Sequence, residues 1–179
     1  MLLMNATKKL TLSAVLAALS AAVMLVSYFP YLTYAVPAVA GLFIMIVVIE
    51  IDCKWAFLSY LAASVLTFLF AETESKLMFI CFFGFYPIVK CLIERINRPV
   101  IELLIKLAVF NVCVITVYKL LAQIFLFSFD DFTVLKRYGE IILLVAANIV
   151  FVIYDIAVSR MSTFYILTIH TKITKLFKR

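Results

Sequence analysis

Glycine is almost missing from this sequence. The 179 residues hold three, Gly41, Gly84 and Gly139, each isolated from the others. No Walker loop, dinucleotide fingerprint, GxSxG elbow or GxxxG dimer motif can be assembled from them, so the chain by itself is expected to hydrolyse no ATP. Histidine is scarcer still: His170 is the single imidazole beside four cysteines, Cys53, Cys81, Cys91 and Cys113, which lie far apart with no CxxC spacing. Neither a metal site nor a disulfide framework is expected, and the cysteines read as small apolar fillers of helices. Charge is the third shortage, at 15% of residues against about a quarter in soluble domains. No nucleophile–base pair and no metal constellation survives this census, so no enzyme and no cofactor are expected.

What remains is apolar: 67% of the chain, with a mean hydropathy of +1.19. Such a chain has little aqueous surface to present, and the reading is an all-α integral membrane protein. One span takes about 20 residues, so the length allows roughly six or seven spans and no separate soluble domain. Charges, prolines and polar clusters bound six apolar segments: 10–29, 36–51, 55–71, 77–93, 101–127 and 140–160, followed by a basic tail, 161–179. The first is too long for the apolar region of a cleavable signal peptide and has no A-x-A exit, so it reads as a span. The second is short, with Pro37 suited to a first helical turn, and is expected to be a short or closely packed span.

The net charge of +6 reports orientation in a membrane rather than a nucleic-acid partner. With six alternating spans and a cytoplasmic N-terminus, the inner side receives Lys8, Lys9, Lys54, Lys90, Arg95, Arg98, Arg160, Lys172, Lys175, Lys178 and Arg179, eleven of the sixteen basic residues. Lys76, Lys136 and Arg137 fall outside, beside Glu72, Glu74, Asp130, Asp131 and Glu140. The bundle is therefore expected to have six transmembrane helices with both termini cytoplasmic, in a cell membrane, bacterial by this reading. Lys172, Lys175 and Lys178 in the tail read as a positive-inside anchor, with a lipid- or partner-binding surface helix as the alternative.

Polar groups inside the spans are the candidates for chemistry. Asp155 lies about 7.5 Å by helical rise from Arg160 and is expected to pair with Lys106 or Lys90 as a structural ion pair. No GxGD partner exists for an intramembrane protease. Lys119 lies about 27 Å beyond Ile101 along the fifth span. With Asn111, Tyr118, Gln123 and Asn148 it could line an outward-facing pocket for a small polar or anionic molecule, or the amides could bond helix to helix while the lysine snorkels. In Phe82-Phe83-Gly84-Phe85-Tyr86-Pro87 a kink or a close helix approach is expected, its rings serving either as core or as a stack for a flat ligand. On the first span, Ala14, Ala18 and Ala22 share a face, with Ala17 and Ala21 alongside. Such a strip lets a helix approach closely, and spacing alone leaves open whether that helix belongs to this chain or to a partner.

The opening Lys8-Lys9-Leu10-Thr11-Leu12-Ser13-Ala14-Val15-Leu16-Ala17-Ala18-Leu19 resembles the start of the substrate-binding S components of energy-coupling factor importers. That family has six helices at about this length and cytoplasmic termini. The resemblance implies that Ala14 and Ala18, extended by Ala22, dock on a membrane T component coupled to two ATPase subunits. It further implies capture of a vitamin-like micronutrient on the outer side, under a lid formed by the loop between the first two helices, here Pro30-Tyr31-Leu32-Thr33-Tyr34. The residues expected to bind that substrate are Lys119, Asn148 and Asn111 as polar contacts, with Tyr86 and Tyr34 as stacking groups. No pocket motif of thiamine, riboflavin, biotin or folate binders is present. The span count is also similar to that of rod-shape-determining membrane proteins, which implies the alternative of a non-transport scaffold that recruits a partner.

Overall fold

A computed structural model of the chain describes residues 5–29, 31–125 and 139–170, and the described residues hold helices and no strand. Five stretches are long and apolar enough to cross a membrane: Ala6–Tyr28, Cys53–Phe70, Thr73–Ile96, Pro99–Val117 and Leu144–Thr168. A sixth apolar helix, Ala35–Glu50, is shorter. The tail lysines Lys172, Lys175 and Lys178 lie outside the described residues, as do Pro30 and the loop charges Asp130, Asp131, Lys136 and Arg137.

Helix α1 (Ala6–Met24) runs into a 3-10 turn, Leu25–Tyr28. Its face of Ser13, Leu16, Ala17, Ser20 and Met24 is buried against α2 (Ala35–Glu50) and α3 (Cys53–Phe70). Small side chains bring these backbones together, and serine hydroxyls then bridge them: Ser20 Oγ donates to the Ala40 carbonyl at 3.0 Å and Ser59 Oγ to the Ser13 carbonyl at 3.2 Å. In lipid such bonds and close packing substitute for the missing hydrophobic force. The short α2 is indeed closely packed, with Val36, Pro37, Ala40, Gly41, Ile44, Met45, Val47 and Glu50 all buried. Pro37 sits in its first turn, where its missing N–H costs no helical bond. Asp52 starts α3 by accepting from the Lys54 and Trp55 N–H groups at 2.8 and 2.9 Å, an N-cap worth about 1 kcal/mol.

The Thr73–Ile96 span is interrupted. Helix α4 (Thr73–Met78) passes into a π turn, Phe79–Phe83, closed by Gly84 N–H donating to Phe79 O at 2.8 Å, and α5 (Tyr86–Ile93) starts afresh with Pro87 in its first turn. The close approaches expected around Gly84 are present. A Cβ on Gly84 would lie 2.8 Å from the Tyr60 ring, and one on Gly41 would lie 2.5 Å from the Phe83 carbonyl oxygen. Both glycines are thus spaces that neighbouring helices occupy.

Asn97, in the left-handed region at φ 55°, turns the chain into α6 (Pro99–Phe125). Helix α7 (Gly139–Tyr165) does not stop at Arg160 but continues through a π turn, Ile166–His170. The reason is plain: no glycine or proline follows Gly139, and a charge can mark a membrane edge without breaking a helix. The core has two parts. One joins α1, α2 and α3 through Leu16, Met24, Ala40, Ile44, Ala56 and Ala63; the other joins the fourth span to α6 and α7 through Phe82, Tyr86, Phe110 and Phe151.

Candidate functional site

The polar residues of the second half stack in three layers along α5, α6 and α7. At the end where α5 finishes and α6 begins, Lys90, Lys106, Asp155 and Glu94 converge. Lys90 Nζ pairs with Glu94 Oε1 at 2.9 Å and with Asp155 Oδ1, and donates to Ser159 Oγ at 2.8 Å. Lys106 Nζ lies 2.8 Å from Glu94 Oε1 and 3.3 Å from Asp155 Oδ2. Tyr86 donates its hydroxyl to Asp155 Oδ1 at 2.5 Å. Both lysines are only 5% exposed. Two cations meet two anions, so the cluster is formally neutral. Such an arrangement holds charges away from water only because every member is paired, and removing one leaves another stranded. The pairing expected for Asp155 is therefore present with both lysines; Glu94 completes it and was not anticipated.

The middle layer is aromatic. Phe110 and Phe151 stack with centroids 4.5 Å apart at 13°, and Phe82 meets them edge-on at 5.2 and 5.8 Å. Tyr86 sits edge-on to Phe151 at 5.5 Å and is fully buried. These rings are partners to one another, and the hydroxyl of Tyr86 is committed to Asp155. In this arrangement Tyr86 is a core residue that positions a carboxylate, with no face open to a flat ligand.

The third layer is an amide pair. Asn111 Nδ2 donates to Asn148 Oδ1 at 2.9 Å, and Asn148 Nδ2 returns a bond to Asn111 Oδ1 at 3.0 Å. Each Nδ2 gives its second hydrogen to the carbonyl four residues earlier, Leu107 at 2.7 Å and Leu144 at 2.8 Å. All four amide donors are spent. Of the two readings open for these residues, the geometry is that of an interhelical staple.

Lys119 and Tyr34 are not brought to this stack. Lys119 lies on the exposed side of α6, about 12 Å along the axis from Asn111. The side chains of Tyr118 and Gln123 fall outside the described residues. Tyr34 precedes α2 at the opposite end of the bundle from the charge cluster and donates to Glu74 Oε2 at 3.1 Å. That acceptor raises the phenol's pKa above its ordinary value, chiefly by bonding its neutral form. Ser75 Oγ donates to the Thr33 carbonyl at 2.7 Å, so the α1–α2 connection is fastened to the start of α4.

Ala14, Ala18 and Ala22 lie together on the exposed side of α1, while Ala17 is buried and Ala21 half-buried. Among the described residues no helix of the chain covers that strip, and the protein's own packing uses the opposite face.

One buried group escaped sequence reasoning. Glu50, 1% exposed, accepts from Tyr165 Oη at 2.7 Å and ties the end of α2 to the end of α7. It stands one residue inside the boundary drawn at Ile51, where it passes for a flanking charge, and nothing in the local pattern marks it as interior.

Among the described residues no group of three or more histidine, cysteine, aspartate or glutamate side chains is placed to hold a metal. In comparisons with known proteins, no family model, no curated protein and no solved structure matches the chain.

Proposed function

We propose that this protein is a multi-pass membrane subunit that works through a membrane partner, docking on it by the Ala14, Ala18 and Ala22 strip of α1. The observation that carries this reading is the division of α1 into two small-residue faces. One is consumed by α2 and α3; the other lies uncovered on the bundle surface. A smooth alanine face admits a second backbone closely, and packing of that kind is what drives helix association in lipid.

Within that class, the reading is the substrate-binding subunit of an energy-coupling factor-type importer, with six spans, cytoplasmic termini and residence in the bacterial plasma membrane. Three features support it: the likeness of the Lys8–Leu19 segment to that family, the bias of eleven basic residues to one side, and the exposure of the strip. The partners are then a T component with its ATPases, and the cargo is a vitamin-like small molecule. Co-expression with a T component and its two ATPases tests it: Ala14→Trp or Ala18→Trp abolishes co-purification while the subunit stays folded. Normal assembly of both variants refutes docking through α1.

A second reading, a non-transport scaffold of the rod-shape type, is favoured by the amide pair. Asn111 and Asn148 satisfy each other, and Tyr86 is spent on Asp155, so the expected substrate contacts do not converge on an opening. Native mass spectrometry of the purified subunit separates the two readings. A retained small molecule displaced by Asn148→Leu supports capture at this site; a ligand-free protein that still assembles with a partner supports the scaffold.

A further inference from the structure

The four cysteines are free thiols, but two of them are neighbours. Cys53 Sγ and Cys91 Sγ lie 3.3 Å apart, Cys53 opening α3 and Cys91 near the close of α5. Each backbone is held by contacts of its own. The start of α3 is pinned by the Asp52 cap, and α5 is pinned through Lys90, next to Cys91, by Glu94, Asp155 and Ser159. The sulfurs therefore meet as a built pair across two fixed helices. A disulfide bond is about 2.0 Å long, so the 3.3 Å separation must close by about 1.3 Å.

Lys54 is exposed at this end of the bundle, and Arg95 Nη2 lies 3.9 Å from Cys53 Sγ. Cys53 also lines an open, largely apolar cavity of about 540 Å³ with Lys54, Phe57, Leu58, Ile88 and Leu92, and Cys91 does not line it. Both thiols are half-buried, and Cys53 is the one that borders the opening. A cysteine at an opening with a second thiol beside it supplies an attacking and a resolving sulfur.

We infer that Cys53 and Cys91 form a thiol-modification site, a reversible disulfide made by exchange with a low-molecular-weight disulfide, which clamps the start of α3 to the end of α5. Cys53 thiolate attacks one sulfur of the incoming disulfide, forming a mixed disulfide and expelling one thiolate. Cys91 thiolate then attacks the Cys53 sulfur, forming the internal bond and expelling the second. The protein gives up two electrons and two protons, and the oxidant leaves as two thiols. Cys81, in the π turn, and Cys113, packed against the aromatic layer, take no part.

The test uses the full chain in lipid nanodiscs treated with oxidised glutathione. The number of alkylatable thiols falls from four to two, a digest contains the Cys53–Cys91 cross-linked peptide, and dithiothreitol restores all the thiols. Cys91→Ser, lacking the resolving thiol, accumulates one glutathione adduct on Cys53, whereas Cys53→Ser leaves Cys91 unmodified. Four thiols persisting in the wild-type chain, a stable glutathione adduct without the internal bond, or a cross-link through Cys81 or Cys113 overturns the assignment.

Discussion

The two halves of the bundle solve the same packing problem with different chemistry. Around α1, α2 and α3 the interface is built from small residues, and its polar bonds run from serine hydroxyls to backbone carbonyls. Around α5, α6 and α7 it is built from large rings, two lysines, two carboxylates and an amide pair. Close approach gives the first half its cohesion through many weak contacts, none decisive. The second half concentrates cohesion in a few paired groups, each of which is costly to leave alone. A helix that packs by small residues can also carry a second small face, and on α1 that face, Ala14, Ala18 and Ala22, is exposed. The amides and rings of the second half are turned inward and used up.

That contrast can be broken at graded cost. The largest effect is expected at Asp155. Asp155→Leu leaves Lys90 and Lys106 sharing Glu94 and should lower stability by about 3 kcal/mol, read as a fall in the detergent-solubilised unfolding midpoint. Adding Lys106→Met to Asp155→Leu restores a neutral Lys90–Glu94 pair and should recover most of the loss. If the double variant is no more stable than the single, the cluster is not a charge-balanced unit. Next comes Gly41→Val, where a Cβ would fall 2.5 Å from a backbone oxygen that cannot rotate away. Overpacking of this kind costs about 1–3 kcal/mol, and the same assay should show it.

A smaller effect is expected at the amide staple. Asn111→Leu strands one Asn148 donor and should cost about 1 kcal/mol, the usual scale for interhelical bonds in membranes. The double change with Asn148→Leu should cost less than the two singles summed. The smallest effect lies at Tyr34. Its bond to Glu74 favours the neutral phenol, so its contribution is fully present below the ordinary tyrosine pKa and is lost as pH rises from there through the raised one. In an absorbance titration Tyr34 should ionise above the ordinary tyrosine range, and Glu74→Gln should lower that midpoint. An unchanged midpoint would mean that the bond is not held in solution.

Much of this architecture was legible in advance because its causes are local. Apolar runs bounded by charge mark helices, and each of the six segments falls on a described apolar helix or on the interrupted fourth span, while the end of the fifth lies outside the described residues and the last runs on to His170. The pairing of Asp155 followed from the cost of a lone charge in lipid, which limits its partners to the few lysines at similar depth. The arrangement of Asn111 and Asn148 was not decidable, since the same amides at the same depth can face a cavity or each other, and only the rotation of α6 against α7 chooses. Nothing local separates Tyr86 as a stacking group from Tyr86 as a core donor, because its carboxylate partner stands 69 residues away. The nearness of Cys53 and Cys91 was hidden for the same reason: their pairing is made by α3 packing on α5, not by spacing along the chain. Continuation of α7 past Arg160 has no signal in the charge pattern, because a charge at a membrane edge does not break a helix.

Docking through α1 is tested most directly by cysteine-scanning cross-linking along that helix, in a chain whose own four cysteines are replaced by serine, co-expressed with a T component and its ATPases. Cross-links to the T component are expected from Ala14→Cys, Ala18→Cys and Ala22→Cys and not from Ser13→Cys, Ala17→Cys or Ser20→Cys. Equal yields on both faces, or none from the exposed alanine face, would contradict it.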